Sequence, residues 1–503
     1  MQSLAAHLRT LTMEQLTSLV ASRRDASLEP APKTADRLAA RLLHPSSMAG
    51  ACALLTLPQL QVGEAATALG GGCTTARLAA LFGVPADDPD LAAALRRLTQ
   101  LALIWPHDGG FVVSHLSAVW PYPLNLGPGA AELLTAQNMN ELRRLAKLYC
   151  VPVTGLGKNE VIAALAGWLA QVENVRRLAA QAPADVRAQL GRLALRPTSP
   201  FRPGGIMYGS PGMALPWAAE RGLVVGSGWG AEEMPREVAF ALREGYVAPF
   251  DRRPPAVSVT PVEPEAADQE AAAAAVETLA AITSTVETMN SGPVPLLKTG
   301  GLGVRELRRI TKSSGQDEDR TRLTIELLAA SGLTDASDTG LCPSTSYDEF
   351  AAADPATQLL DIVQTWLTMP ACPLAPADPT ATSTRALYWD EEEEIVLTGL
   401  RALILRTLAD TVPEGQAADP DTLADRLAWQ SPVLIGQVNE DLQRHVTGIW
   451  REAHRLGLLA HGTATRLCRS LLIGDFDAAY RHAEAILPEL AARPYCRTTS
   501  PRW

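Results

Sequence analysis

Apolar residues recur every three to four positions along most of the chain, the period of a helix with one buried face. Between Leu4 and Ala40 the spacing predicts a pair of short helices, with Thr12 ahead of Met13-Glu14-Gln15 and Thr34 ahead of Ala35-Asp36 as caps. From Ser46 to Ser117 the order is helix, helix, helix, strand pair. Met48 to Leu57 reads as an apolar helix stopped by Pro58, which lacks the N–H that a continuing helix needs. Gly70-Gly71-Gly72 ends the next helix, Gly83 closes a short one begun at Thr75, and Asp90 caps Leu91 to Leu98. Leu101 to Trp105 and Phe111-Val112-Val113 then form two strands around Asp108-Gly109-Gly110.

The pattern returns three times. Ala184 to Leu195 and Met213 to Arg221 are helical, followed by Gly222-Leu223-Val224-Val225 and Trp229 as a hairpin, and Pro235 to Arg243 resumes helix. Leu302 to Lys312 and Thr321 to Ser331 precede Gly332-Leu333-Thr334 and a turn to Leu341-Cys342. Between Glu391 and His461, helices around Leu397–Leu408, Pro420–Leu427 and Asp441–Leu456 lead to Gly457-Leu458-Leu459-Ala460. A helix followed by Gly-Leu and an apolar strand is the shared signature, but the copies are too dissimilar to be a solenoid. Three helices closed by a hairpin is the winged-helix order.

With 503 residues the chain holds several domains, since no single core grows that large. Its 47% hydrophobic and 20% charged content suits folded domains. No apolar run reaches the roughly 18 residues of a membrane helix, and Met1 to His7 lacks the basic and apolar parts of a secretion signal. The seven cysteines are scattered without Cys-x-x-Cys pairs, against a disulfide framework and a zinc site. A cytoplasmic chain is the expectation, compatible with association with the nucleoid, with no cofactor and no membrane. A net charge of −11 repels phosphate over the chain as a whole, so any nucleic-acid contact must come from a local face.

Catalytic signatures are missing. Gly155-Leu156-Gly157-Lys158-Asn159 lacks the first spacing and the metal-binding hydroxyl of a phosphate-binding loop. Trp389-Asp390-Glu391-Glu392-Glu393-Glu394 stands at a helix start, where the backbone dipole favours carboxylates. The histidines are solitary. Trp105, Trp120, Trp217, Trp229 and Trp366 read as packing anchors.

Two basic stretches carry the candidate chemistry. Asn140 to Leu165 runs helix, extended link, Gly-Lys, helix, with Leu142, Leu145, Val161 and Leu165 as its core. It resembles the SAP motif, a small DNA-binding helical hairpin. The resemblance implies phosphate contacts from Arg143, Arg144, Lys147 and Lys158; a helical hairpin with solvated basic residues is the alternative. In Lys298 to Lys312, glycines precede a helix on which Arg305, Arg308, Arg309 and Lys312 fall at i, i+3, i+4 and i+7. With Lys298 these make either a phosphate-facing stripe or a solvated face paired with Glu306, Asp317 and Asp319. Arg96-Arg97 and Arg451 with Arg455 lie on third helices, where a recognition helix would sit, or belong to solvated faces.

The order of these features resembles bacterial helicase-associated proteins with an XPB-like helicase N-terminal domain. The likeness rests on Leu101 to Trp105, Pro121 to Pro128, the SAP-like hairpin, Met234 to Arg243 and above all Lys298 to Arg309, and runs from about Met1 to Leu490. Family members continue into a further domain, and here an unpatterned tail stands in its place, which suggests a truncated or frame-shifted product. The resemblance implies DNA-linked work in repair or transcription, not ATP hydrolysis, because no motor motif is found.

The fold class is therefore mainly α with small β-hairpin wings: several winged-helix units plus a SAP-like helical hairpin. Residues 1–45 are N-terminal helices, 46–130 a winged helix, 131–176 the SAP-like hairpin and 177–250 a winged-helix-like unit. A linker at 251–263 leads to a helix plus winged helix at 264–369, a second linker at 370–388, a winged-helix-like unit at 389–490 and a frayed tail at 491–503. The expected function is non-catalytic DNA binding beside a helicase or repair protein. A protein-interaction scaffold is the alternative, and part of an ATP-dependent helicase a remoter one.

Overall fold

Among the described residues the chain is mainly helical, and β-structure is confined to short antiparallel pairs. The structure, a computed structural model, describes residues 3–114, 116, 119, 120, 123–195, 215–226, 232–243, 249–298, 300–337, 340–376, 386, 387, 391–438 and 442–487. The chain divides into two units, Met1–Arg253 and Pro254–Trp503. The tail expected at 491–503 and Trp229 lie outside the described residues.

The first unit opens with α1 (Leu4–Leu8), α2 (Met13–Ser22), α3 (Ala35–Leu42) and α4 (Pro45–Cys52), so the expected pair of helices up to Ala40 is three. Thr12 and Thr34 cap α2 and α3 as their side chains predict. Then come α5 (Leu57–Leu69), α6 (Thr75–Phe82), α7 (Pro89–Gln100) and a hairpin of β1 (Ile104–His107) and β2 (Gly110–Val113). Pro58 does not stop a helix. It sits in the first turn of α5, where a missing N–H costs nothing. Asp88, not Asp90, caps α7, its carboxylate accepting from the N–H groups of Asp90 and Leu91 at 3.1 and 3.0 Å. Leu91, Ala94, Leu95 and Leu98 then fall on one buried face.

The unit continues through α8 (Ala130–Thr135), α9 (Met139–Leu148), α10 (Lys158–Leu169), α11 (Val172–Ala179) and α12 (Ala184–Ala194). It ends with α13 (Pro216–Ala219), a two-residue strand pair of β3 (Val225–Gly226) and β4 (Glu232–Glu233), and α14 (Arg236–Leu242). The helix expected from Met213 begins, among the described residues, at Pro216.

In the second unit β5 (Val259–Pro261) precedes the long α15 (Pro264–Asn290), α16 (Val304–Ser314), α17 (Glu318–Ala330) and a hairpin of β6 (Thr334–Ser337) and β7 (Gly340–Pro343). After α18 (Ser346–Ala352) and α19 (Pro355–Thr368) come α20 (Glu391–Thr411), β8 (Gln416–Ala418), α21 (Leu423–Gln430), α22 (Pro432–Ile435) and α23 (Leu442–Arg455). The pair β9 (Leu459–Ala460) and β10 (Thr463–Ala464), then α24 (Arg466–Ile473) and α25 (Phe476–Ile486), finish it.

Both expected linkers do structural work. Gln61 holds Pro249 and Asp251 to the first unit, and Arg252 pairs with Asp88 at 3.0 Å, while β5 pairs with β8 in the second. Within the stretch from 370, Leu374 is buried and its N–H donates to Glu452 at 3.2 Å. Arg401 donates to the carbonyls of Met369 and Ala371, because a buried guanidinium needs acceptors that apolar neighbours cannot give.

The Gly-Leu signature has a single physical cause. Ala102, Gly222, Gly332 and Gly457 all have positive φ, between 55° and 71°. Each turns the chain out of its helix so that the next residue, Leu103, Leu223, Leu333 or Leu458, donates its N–H to the carbonyl five residues back at 2.9–3.0 Å. In three copies the second hairpin strand also meets the backbone that follows the module's first helix. Phe111 donates to Cys73 at 2.9 Å, Leu341 to Val294 at 2.8 Å, and Ala418 donates to Gly462 at 2.9 Å. Glycine stands at each contact, Gly110, Gly340 and Gly462, since a Cβ there would run into that backbone. We call these three, α5–β2, α15–β7 and α20–β10, helix-and-hairpin modules.

Candidate nucleic-acid interface

In the first unit, the Asn138 side chain accepts from the N–H groups of Asn140 and Glu141 at 3.0 Å and so starts α9. Leu142, Leu145 and Ala146 are buried, and Val161, Ile162, Leu165 and Leu169 of α10 share their cluster. Tyr149 stacks on Trp168 with ring centroids 3.8 Å apart and donates its hydroxyl to the Arg221 carbonyl at 2.7 Å. Burial pushes the Tyr149 hydroxyl pKa well up, so it stays a donor.

This packing divides the four expected phosphate contacts. Arg143 and Lys147 are exposed, one helical turn apart, and without a side-chain partner among the described residues. Arg144 is engaged: it pairs with Glu141 at 2.8 Å and donates to the Glu220 carbonyl at 2.5 Å. Lys158 donates to the Thr135 carbonyl at 2.8 Å, where it closes the last turn of α8. Both are tethers within the fold.

In the second unit, α16 buries Leu307 and Ile310 and exposes Arg305, Arg308, Arg309 and Lys312. Arg309 pairs with Glu306 at 2.7 Å. Among the described residues the side chains of Arg305, Arg308 and Lys312 have neither an ion pair nor a hydrogen bond, and Lys298 is likewise exposed. Of the two other acids considered as partners, Asp317 caps α17 and binds Arg455 at 3.1 Å instead. The glycines before α16 do allow a close approach, but by the chain itself. The Ala386 carbonyl accepts from Leu302 at 2.8 Å and leaves no room for a side chain at Gly301.

No family model, curated protein or solved structure matches this chain. The site must be judged on its own chemistry.

Third-helix cations are mostly spoken for. In α17, Arg322 pairs with Glu318 at 3.0 Å and Arg320 with Glu277. In α23, Arg455 is held by Asp317, while Arg451 is exposed, as is Arg96 on α7. The free charge of the second module therefore lies on its middle helix rather than its third. Among the tryptophans, Trp105, Trp120 and Trp366 are buried, and Trp217 lies under the Arg221 guanidinium at 4.2 Å. The described residues hold no cluster suited to a metal ion, and none of their helices is long and apolar enough to cross a membrane.

Sequence reasoning missed the buried pair Arg401–Glu452, 3.3 Å apart and fully enclosed. Trp366 donates its ring N–H to Glu452 at 2.8 Å, and Arg401 lies over the Trp366 ring at 5.2 Å. One signal was available: an arginine inside the apolar run Leu400 to Leu408 must find a partner.

Proposed function

We propose that this chain is a non-catalytic DNA-associated protein that holds the phosphate backbone from exposed basic helix faces, working beside a separate helicase or repair enzyme. The observation that carries the reading is the trio Arg305, Arg308 and Lys312 on one face of α16, without a side-chain partner among the described residues. In a chain with net charge −11, many arginines near acids are paired, so three free cations side by side make a local positive field. Arg143 and Lys147 form a smaller patch of the same kind. Such contacts position a protein on DNA without reading its sequence. We read the three modules as winged-helix units, and the helicase-associated family that the sequence resembles would work on DNA in the same way.

Fluorescence anisotropy against single-stranded, duplex and forked DNA across a salt series tests it. Affinity should fall steeply with salt. Replacing Arg305, Arg308 and Lys312 together by Ala should weaken binding to every form and flatten the log–log salt slope by about 3. No binding at low salt, or an unchanged slope in the triple variant, would overturn it.

A scaffold role is the second reading, favoured by Ile473 and Phe476, 79% and 65% exposed around the turn between α24 and α25. It predicts a helicase or repair protein that co-purifies after nuclease treatment and is lost on Ile473→Ser with Phe476→Ser. DNA affinity would be unchanged in that variant.

A further inference from the structure

Two exposed helix faces of the second unit carry opposite charges at the same spacing. On α25, Phe476, Asp477, Tyr480 and Glu484 stand at positions i, i+1, i+4 and i+8, and all four are exposed. On α16, Val304, Arg305, Arg308 and Lys312 stand at the same four positions and are likewise exposed. With 3.6 residues per turn, those positions fall within an arc of about 100°, so each set forms one face. Asp477 and Glu484 are seven residues apart, as are Arg305 and Lys312. At a rise of 1.5 Å per residue, both pairs are therefore separated by about 10 Å along their helices.

Neither face is used within the described chain. The side chains of Asp477 and Glu484 have no ion pair or hydrogen bond among the described residues, like those of Arg305, Arg308 and Lys312. Each face also has an apolar end. Ile473 is exposed just before Phe476, and exposed Leu297 lies against Gly303 at the start of α16, beside Val304. Neighbouring exposed apolar side chains framed by charge are the mark of a docking surface. The acidic character of the α25 face extends to Asp354 at the start of α19, which accepts from the Tyr480 hydroxyl at 3.2 Å. The charges of Asp354 and, to a lesser degree, Glu484 push the Tyr480 pKa up. At i+5 both helices carry an arginine on the rim of the face, Arg481 and Arg309, and Glu306 neutralises the second.

We propose that the α25 face of one copy docks on the α16 face of a second copy of this chain. With the two helices side by side and parallel, Phe476 meets Val304, Asp477 meets Arg305, Tyr480 meets Arg308 and Glu484 meets Lys312. Each pair is complementary: apolar on apolar, carboxylate on cation, and guanidinium over an aromatic ring. A net charge of −11 makes copies repel as a whole, so their contact must come from local faces of opposite sign. The faces are unlike, so the contact either closes reciprocally in a two-fold dimer or continues from copy to copy. The inference rests on the match between α16 and α25 and needs no DNA.

Sedimentation velocity of the nuclease-treated full chain, over a concentration series at low and high salt, tests this. The sedimentation coefficient should rise with concentration at low salt and fall back at high salt. Asp477→Lys with Glu484→Lys, or Arg305→Glu with Lys312→Glu, should weaken self-association by at least about tenfold. Mixing these two variants should restore it, because each reversed face then meets its opposite again. A variant that had failed to fold would not be rescued in this way. Phe476→Ser should weaken association and leave its salt dependence unchanged. A parent chain that stays monomeric at low salt overturns the proposal, as do charge-reversed variants that associate like the parent, or a mixture that stays apart. A monomer that needs Ile473 and Phe476 to retain a helicase or repair protein would overturn it too, and would give the α25 face to that partner. Self-association without DNA affinity would support this inference and overturn only the DNA reading.

Discussion

The first and second helix-and-hairpin modules share their backbone hydrogen bonds at the helix end, the hairpin return and the contact with the segment after the first helix. Their middle helices differ. In α6 the one basic residue, Arg77, is bent back onto the Gly72 carbonyl at 2.9 Å. In α16 four basic residues stand on the surface and, among the described residues, only Arg309 is paired. Shared backbone contacts with unlike surfaces separate what makes the module from what the module does. The contacts need small residues and leucines at fixed places, whereas the outward positions of the middle helix are unconstrained by packing.

The buried charges give the largest expected break between the two units. Arg401 faces a fully enclosed carboxylate, while Arg23 in the first unit is satisfied mainly by neutral oxygens, the Leu101 and Ser47 carbonyls at 2.8 Å each. Glu452→Ala leaves Arg401 unpaired in the core and should cost about 3–5 kcal/mol. Asp25→Ala, which removes only the half-exposed partner of Arg23, should cost about 1 kcal/mol. Urea unfolding of both variants checks the contrast, and equal losses would contradict it.

Next come the glycines at the strand contact. A Cβ on Gly340 would fall on the Val294 carbonyl, one on Gly110 would lie 2.6 Å from the Cys73 oxygen, and one on Gly462 3.0 Å from the Ala418 oxygen. Replacement by Ala should destabilise in that order, by about 3 kcal/mol at Gly340 and about 1–2 kcal/mol at the others. Hydrogen exchange of the three hairpins would rank them directly.

Smaller effects sharpen the helix-end comparison. Ala102 holds the left-handed conformation that glycine holds in the other copies. Ala102→Gly should therefore stabilise the first module by up to about 1 kcal/mol, and Gly332→Ala should cost the second a similar amount. Opposite signs in denaturant unfolding are the signature; like signs would mean that packing at 4% exposed Ala102 outweighs the backbone term.

The smallest effect is shared by both units. Burial lowers the pKa of His7 in the first and of His454 in the second, below the ordinary 6.5; for His454 the nearby Glu270 opposes this and His461 adds to it. A lowered histidine pKa means the unfolded chain binds more protons. Stability is then fully present above pH 6.5 and lost as pH falls below it. His454→Gln and His7→Gln should each flatten the slope of stability against pH between 6.5 and the lowered value.

These features were unequally legible in the sequence. The recurrent Gly-Leu after a helix was visible because a positive φ and a buried leucine both leave a mark on residue type. The strand contacts at Cys73, Val294 and Ala418 leave only one glycine each, Gly110, Gly340 and Gly462, since a backbone bond of one or two residues has no period to read. Spacing alone puts Arg305, Arg308, Arg309 and Lys312 on one helix face, whereas Arg143 and Lys147 are singled out only by the likeness to the SAP motif. That Arg144 and Lys158 would be used within the fold was hidden, because their acceptors are carbonyls at Glu220 and Thr135, far away along the chain or on another helix. Pro58 was misjudged because proline ends one helix and begins another with equal ease.

The pairing of β5 with β8 has a consequence in time as well as space. Each hairpin joins residues a few positions apart, but Val259–Pro261 meets Gln416–Ala418 only after the intervening helices have been made. Closing a loop of roughly 150 residues costs entropy that local contacts never face, and such contacts form late. On a ribosome, β5 emerges well before its partner and must wait with its edge open. The second unit thus completes its folding only after Gln416–Ala418 has emerged, while the helices and hairpin of its first module, at 264–343, are already free to form.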